Sequence, residues 1–300
     1  MSHGGRLISD DNGNHGVGGS GGGGIDDTIV PLGALTSSGF TDINVPGAQT
    51  TTATGISDRG AIVGQFDDAL GAHGFLLQLG QFTTIAVPGS HLTLPTGINN
   101  SGQIAGTAID ATGNAHGFLE DRGQFKQLDV PGALQTSAGG ISDNGTVVGG
   151  YLDQRFNGHG YIFSNGQFTK FDAPGSVATG LSGVDNAGDL VGTFTDASSL
   201  HGQVAFELLR GVFMPLKPPG STTSQGFAIN DRGDVVGTFS DAAGNRHGFE
   251  FSNGVFTTID HPPAGSTTGA FGINNAGTIV GFSLNATTQV ASGWELPGHS

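Results

Sequence analysis

Hydrophobic residues in this chain come in short runs. Segments rich in β-branched or aromatic residues, such as Ile62–Phe66, Gly74–Leu77 and Phe82–Val87, are each bounded by Gly, Asp, Asn or Pro. Runs of that kind between turn residues predict β-strands. No apolar stretch approaches the roughly 18 residues of a membrane span, so membrane insertion is not expected.

The runs recur in register. The string Asp/Asn-x-Gly-x-apolar-apolar-Gly occurs six times, as DRGAIVG from Asp58, NSGQIAG from Asn100, DNGTVVG from Asp143, NAGDLVG from Asn186, DRGDVVG from Asp231 and NAGTIVG from Asn275. Its first Gly falls at 60, 102, 145, 188, 233 and 277. A Gly/Ala-apolar pair precedes each string, as in Gly55-Ile56. A His-Gly-aromatic string follows it (His73-Gly74-Phe75, His116-Gly117-Phe118, His159-Gly160-Tyr161, His247-Gly248-Phe249), then Gly-x-Phe and a closing Pro-Gly. Each unit therefore reads as four short strands. The Asp-x-Gly turn supplies a tight hairpin, and the Gly inside the second strand marks a bulge or a close backbone approach.

A four-stranded unit of about 43 residues has the size of one propeller blade. The chain ends favour a ring over an open solenoid. The last copy lacks its fourth strand, and a stray one precedes the first copy: Phe40–Pro46 matches Phe82–Pro88 at five of seven positions. The expected fold is all-β, a six-bladed β-propeller of four-stranded blades over 37–298, its ring closed by an N-terminal strand completing the last blade. Residues 1–36, with a Gly run at Gly21–Gly24, read as a flexible leader without the apolar core of a secretory signal.

Composition narrows the function. The 300 residues include 56 Gly and no Cys, which removes disulfides and thiolate metal sites. The net charge of −15, from 10 basic and 25 acidic residues, disfavours nucleic acid and anionic membranes as partners. Most acids are Asp, a turn residue.

The units resemble the HAF repeat of probable extracellular bacterial proteins. The resemblance is carried by GINNSGQIAG, HGFLLQLGQFTTIAVPG and FTTIDHPPAG, and covers residues 40–296. It implies a repeat protein that is extracellular or at the cell surface. It implies no reaction.

The longer second-to-third-strand loops carry the candidate chemistry. Asp68, Asp110, Asp153, Asp196 and Asp241 open these loops, and His73, His116, His159, His201 and His247 close them; Asn285 and Ser292 stand in the sixth unit. One face should bear a quasi-ring of Asp–His pairs. Each pair could brace its own loop by hydrogen bonds. Alternatively, each could line a shallow inter-blade pocket in which carboxylate, imidazole and aromatic meet sugar hydroxyls. No metal or cofactor is expected. Ca²⁺ wants six to eight oxygens and Zn²⁺ several converging His, and the loops supply neither. G-x-S-x-G, Walker and dinucleotide motifs are absent, and no catalytic residue is assigned. The Asp-x-Gly turns resemble the Asp-box of sialidases only in the hairpin, since that box's Trp is missing. Departures from the repeat (Arg155, Phe156, His91, Met214, Lys217, His261, Trp294) read as drift or core filling.

The expected function is thus a monomeric, non-catalytic binding or interaction module, its partner a carbohydrate or an extracellular protein. The alternatives are a propeller hydrolase or lyase with one site at the axial funnel, and a structural surface protein without a small ligand.

Overall fold

The computed structural model describes residues 39–196, 202–263 and 265–298. Its 24 strands form six antiparallel four-stranded sheets, the blades of a six-bladed β-propeller, with no helix among the described residues. Residues 1–36, read above as a leader, lie outside the described residues.

Five blades are simple meanders. Blade 1 runs Thr50–Ile56, Ile62–Asp68, Gly71–Gln78 and Gln81–Ile85. Blade six comprises Thr267–Ile273, Ile279–Leu284 and Ala291–Leu296, with Thr41–Ile43 as its outermost strand. In that pairing Asp42 stands opposite Trp294. The first strands of neighbouring blades touch one another in an unbroken circle and form the inner wall of the axis.

The repeated glycine of the second strand has a steric cause. A Cβ at Gly281 would overlap the Gly269 carbonyl on the inner strand and stand 2.5 Å from the Trp294 ring. The other five copies, such as Gly149 under Tyr161, meet the same two neighbours, a carbonyl and the aromatic ring of the third strand. Beside each contact the inner-strand register shifts, as between Ala53 and Gly55 in blade 1. The rings thus protected, Phe75, Phe118, Tyr161, Phe206, Phe249 and Trp294, are fully buried and fill the seams between blades. Each contributes about 2–3 kcal/mol by burial. Trp294, a departure from the repeat, is therefore core: Phe40 meets its ring edge-on at 5.2 Å. His261 joins this cluster, with its Nε2 3.2 Å from Asp42 Oδ1.

At one end of the axis the Asp-x-Gly turns interlock. The residue before the motif caps the turn: Asn274 Oδ1 accepts from the Ala276 and Thr278 amides, and Asn230 and Asn99 do the same in their blades. That leaves the motif's own Asp or Asn free to reach the next blade. The six positions alternate as Asp58, Asn100, Asp143, Asn186, Asp231 and Asn275. Each backbone N–H donates to the next residue's Oδ1 at 2.7–3.0 Å, and Asn275 donates back to Asp58. Each Asn amide nitrogen donates to the Oδ2 of both flanking Asp. Amides supply only donors to the carboxylates here, so strict alternation satisfies every link of the circle.

Candidate functional site

The loops at the other end of the axis are built on their first residue. Asp110 Oδ1 accepts from the Thr112 and Asn114 amides and the Thr112 hydroxyl, and Oδ2 accepts from the Asn114 side chain. Asp153 and Asp241 hold their loops in the same way, through Asn157 and Asn245. Hydrogen bonds of this kind favour the carboxylate form. The Thr112 hydroxyl first, then the Asn114 amide, hold Asp110 far below the usual carboxylate range. The Asn157 side chain leads the same effect on Asp153, and the Asn245 side chain brings Asp241 to about 2. Asp68 is lowered chiefly by the Leu70 amide. In the sixth blade Asn285 takes over this capping.

The histidines sit beside these carboxylates. Nε2 lies 3.3 Å from Asp68 in His73, and 3.5 Å from Asp110, Asp153 and Asp241 in His116, His159 and His247. Asp196 is the last residue of its strand, whereas its expected partner His201 lies outside the described residues.

Three blades add a second carboxylate that the sequence reading missed. Nδ1 of His116, His159 and His247 lies 3.0, 2.9 and 2.7 Å from Asp129, Asp172 and Asp260, each one residue past its outer strand. The signal was present as an Asp before x-Pro in these units, where blade 1 has Ala86 and blade 4 has Lys217. At His116 and His247 the two flanking carboxylates favour the protonated form. Partial burial opposes this at His116, but the hydrogen bond and charge of Asp129, with Asp110, outweigh it and raise the pKa. Asp260 and Asp241 do the same for His247. Second-strand rings flank three of the imidazoles: Phe66 against His73, Tyr151 against His159 and Phe239 against His247, at 5.0–5.3 Å.

In blades 2, 3 and 5 the pair therefore braces its loop, and two of the histidines also border pockets. At the seam between blades 1 and 2, a cavity of about 370 Å³ is lined by Ser90, Asp110, His116, Phe125, Lys126 and Gln127, among others. Gln127 donates to Asp129, which fixes the Gln127 side chain at the cavity. A smaller cavity of about 240 Å³ lies at Gln135, Tyr151 and His159. The departures His91, Arg155, Met214 and Lys217 are exposed, as is Phe156 at 76%.

No family model matches the chain, and no curated protein does. Solved structures do. The chain is similar to a putative TolB from Agrobacterium tumefaciens, at 11% identity and TM-score 0.58, over 87% of this chain and 94% of that one. The likeness is one of fold. AofleA from Arthrobotrys oligospora aligns at 14% identity and TM-score 0.54 over 82% of each chain. A fungal lectin from Aleuria aurantia, described as a six-bladed β-propeller with a novel fucose recognition mode, aligns more loosely: 12% identity, TM-score 0.47, 72% of this chain and 80% of that one.

Proposed function

We propose that this propeller is a non-catalytic binding module, a monomer of the HAF-repeat type acting outside the cell or at its surface, and that its ligand is carbohydrate. The observation that carries the reading is the seam pocket at His116. Its polar side chains are fixed by one another before any ligand arrives: Asp110 by its loop, His116 between Asp110 and Asp129, and Gln127 on Asp129. Preorganised carboxylate, imidazole and amide groups beside a partly exposed ring suit a sugar, which offers hydroxyls at its edge and C–H groups on its face. Preorganisation reduces the ordering cost of binding. An imidazole whose two nitrogens both donate to carboxylates has no lone pair free to take a proton from a substrate, which favours binding over hydrolysis at this position.

Glycan-array binding by the full chain and by a His116→Ala, His159→Ala variant tests the reading, with circular dichroism as the control for folding. The wild type is expected to bind a restricted set of glycans and the variant to lose them. Absence of binding by the wild type, or equal binding by a folded variant, overturns it.

A further inference from the structure

The loop end of the axis opens into a funnel of about 580 Å³, a volume typical of small-molecule sites. Apart from Leu181 of blade 4, its lining departs from the repeat in blades 5 and 6. Phe227 and Phe271 occupy the inner-strand position that is Thr54, Thr96, Gly139 and Ser182 in the other blades. Phe282 occupies the second-strand position held elsewhere by Gln65, Thr107, Gly150, Thr193 and Thr238. Arg246 stands where blades 1, 2, 3 and 6 have Ala72, Ala115, Gly158 and Ala291. Three columns are thus altered in two adjacent blades, and all four altered side chains line one cavity.

The altered residues make a two-part surface. Phe271 meets Phe227 edge-on at 4.7 Å and stacks on Phe282 at 5.5 Å with the planes 4° apart. All three rings are only partly buried, which leaves an apolar wall facing the funnel. The Arg246 side chain crosses from the third strand of its blade towards the axis, where its Nη2 donates to Gln225 Oε1 and Thr238 Oγ1, both at 3.2 Å. Both partners are neutral. Among the described residues no carboxylate pairs with this guanidinium, and no carboxylate lines the funnel, although the chain carries a net charge of −15. Partial burial disfavours its charge, with no nearby anion to offset the cost. A half-buried cation held in place by neutral acceptors, in a lumen free of anions, is a seat for an anion supplied from outside.

We infer that the funnel binds a small organic carboxylate with an apolar, preferably aromatic, body: the carboxylate pairs with Arg246 and the body packs on Phe227, Phe271 and Phe282. One guanidinium matches one negative charge, and its planar fork matches a carboxylate. A phosphate dianion would call for further cations, which the lining lacks. This site is separate from the seam pocket at His116.

The test is calorimetric titration of the full chain with phenylacetate, indole-3-acetate and 2-naphthoate, each beside its uncharged amide, and with phenyl phosphate. At least one carboxylate should bind saturably, and its amide at least about tenfold more weakly. Arg246→Ala restores the residue of three other blades and should fold; it should cost the carboxylate about tenfold or more and leave the amide unchanged. Phe271→Thr, again a residue of the repeat, should weaken acid and amide together. His116→Ala should leave this binding intact, which separates failure here from failure of the seam-pocket reading. No saturable binding of any of the carboxylates below about 10 mM would overturn the inference. So would equal affinity for acid and amide, preference for phenyl phosphate, or unchanged affinity in folded Arg246→Ala.

Discussion

At the turn end of the axis all six blades contribute the same position, and the six side chains close one circle of hydrogen bonds from Asp58 to Asn275. At the loop end the blades contribute unlike residues: small or polar ones and Leu181 from blades 1 to 4, Phe227 and Arg246 from blade 5, Phe271 and Phe282 from blade 6. The contrast teaches where a repeat protein keeps its architecture and where it can vary. A position copied in every blade answers a need that every blade has. A position altered in two adjacent blades answers a need of the whole ring, since only the closed ring has a lumen. The Asp–His braces fall between these cases, with five Asp copies and a second carboxylate in only three described blades.

The largest test of this contrast removes a piece of blade six, which carries two of the funnel rings. Deleting residues 1–48 takes away the strand Thr41–Ile43 and the buried Phe40 and Ile43. Losses of that size, about 4 kcal/mol or more, should lower Tm by about 10 °C or more; an unchanged melting curve would show that blade six stands without its outer strand. Next is Gly149→Ala. The new methyl would strike the Ser137 carbonyl and the Tyr161 ring. We expect a loss of about 3 kcal/mol, measured by urea denaturation, although the side chain gains only one carbon.

A direct comparison of the two ends pairs Asn186→Asp with Phe271→Thr. The first sets three carboxylates side by side and removes two donors from Asp143 and Asp231. It should cost about 1–2 kcal/mol. The second exchanges a partly exposed funnel ring for a residue the repeat already uses, and should change stability by about 0.5 kcal/mol or less. Equal costs at both positions would erase the distinction between an architectural end and a variable one.

The smallest effect concerns the braces. The folded pKa of His116 lies above its unfolded value, so its contribution is fully present below the unfolded value of about 6.5 and is lost as pH rises through the raised folded value. Because the pair is partly exposed and screened, His116→Ala should cost only a few tenths of a kcal/mol at pH 6. At pH 9 it should cost nothing measurable through this linkage. Denaturant midpoints at the two pH values check the sign, and a larger cost at pH 9 would refute the carboxylate clamp.

Much of the fold was legible because propeller blades are local objects. Except for the outer strand of blade six, each strand of a blade pairs with its sequence neighbour, so Asp58-Arg59-Gly60 and its five counterparts punctuate the chain where the backbone turns. The second-strand glycines also announced a close approach, which proved to be a carbonyl on one side and an aromatic ring on the other. The Asp–His pairs were visible for the same reason: both residues flank one loop. Asp129, Asp172 and Asp260 were overlooked because they lie thirteen residues beyond their histidines, across the outer hairpin. The alternation of Asp and Asn stood in plain view, but its use depends on the distance between neighbouring turns, which no single unit contains.

The funnel was the least legible part. Among the departures from the repeat that the sequence displays, Trp294 and His261 fill the core, and Arg155 and Phe156 face solvent. Arg246, Phe227, Phe271 and Phe282 belong to three columns of the repeat and to two different blades. By itself the sequence determined the strand runs, the turns, the blade unit and its sixfold count, because these follow from side-chain sterics and hydrogen bonding within about 43 residues. Only the tertiary structure decided which residues face the axis together. That depends on how the blades pack side by side, and packing brings into one lumen side chains that the linear order keeps apart.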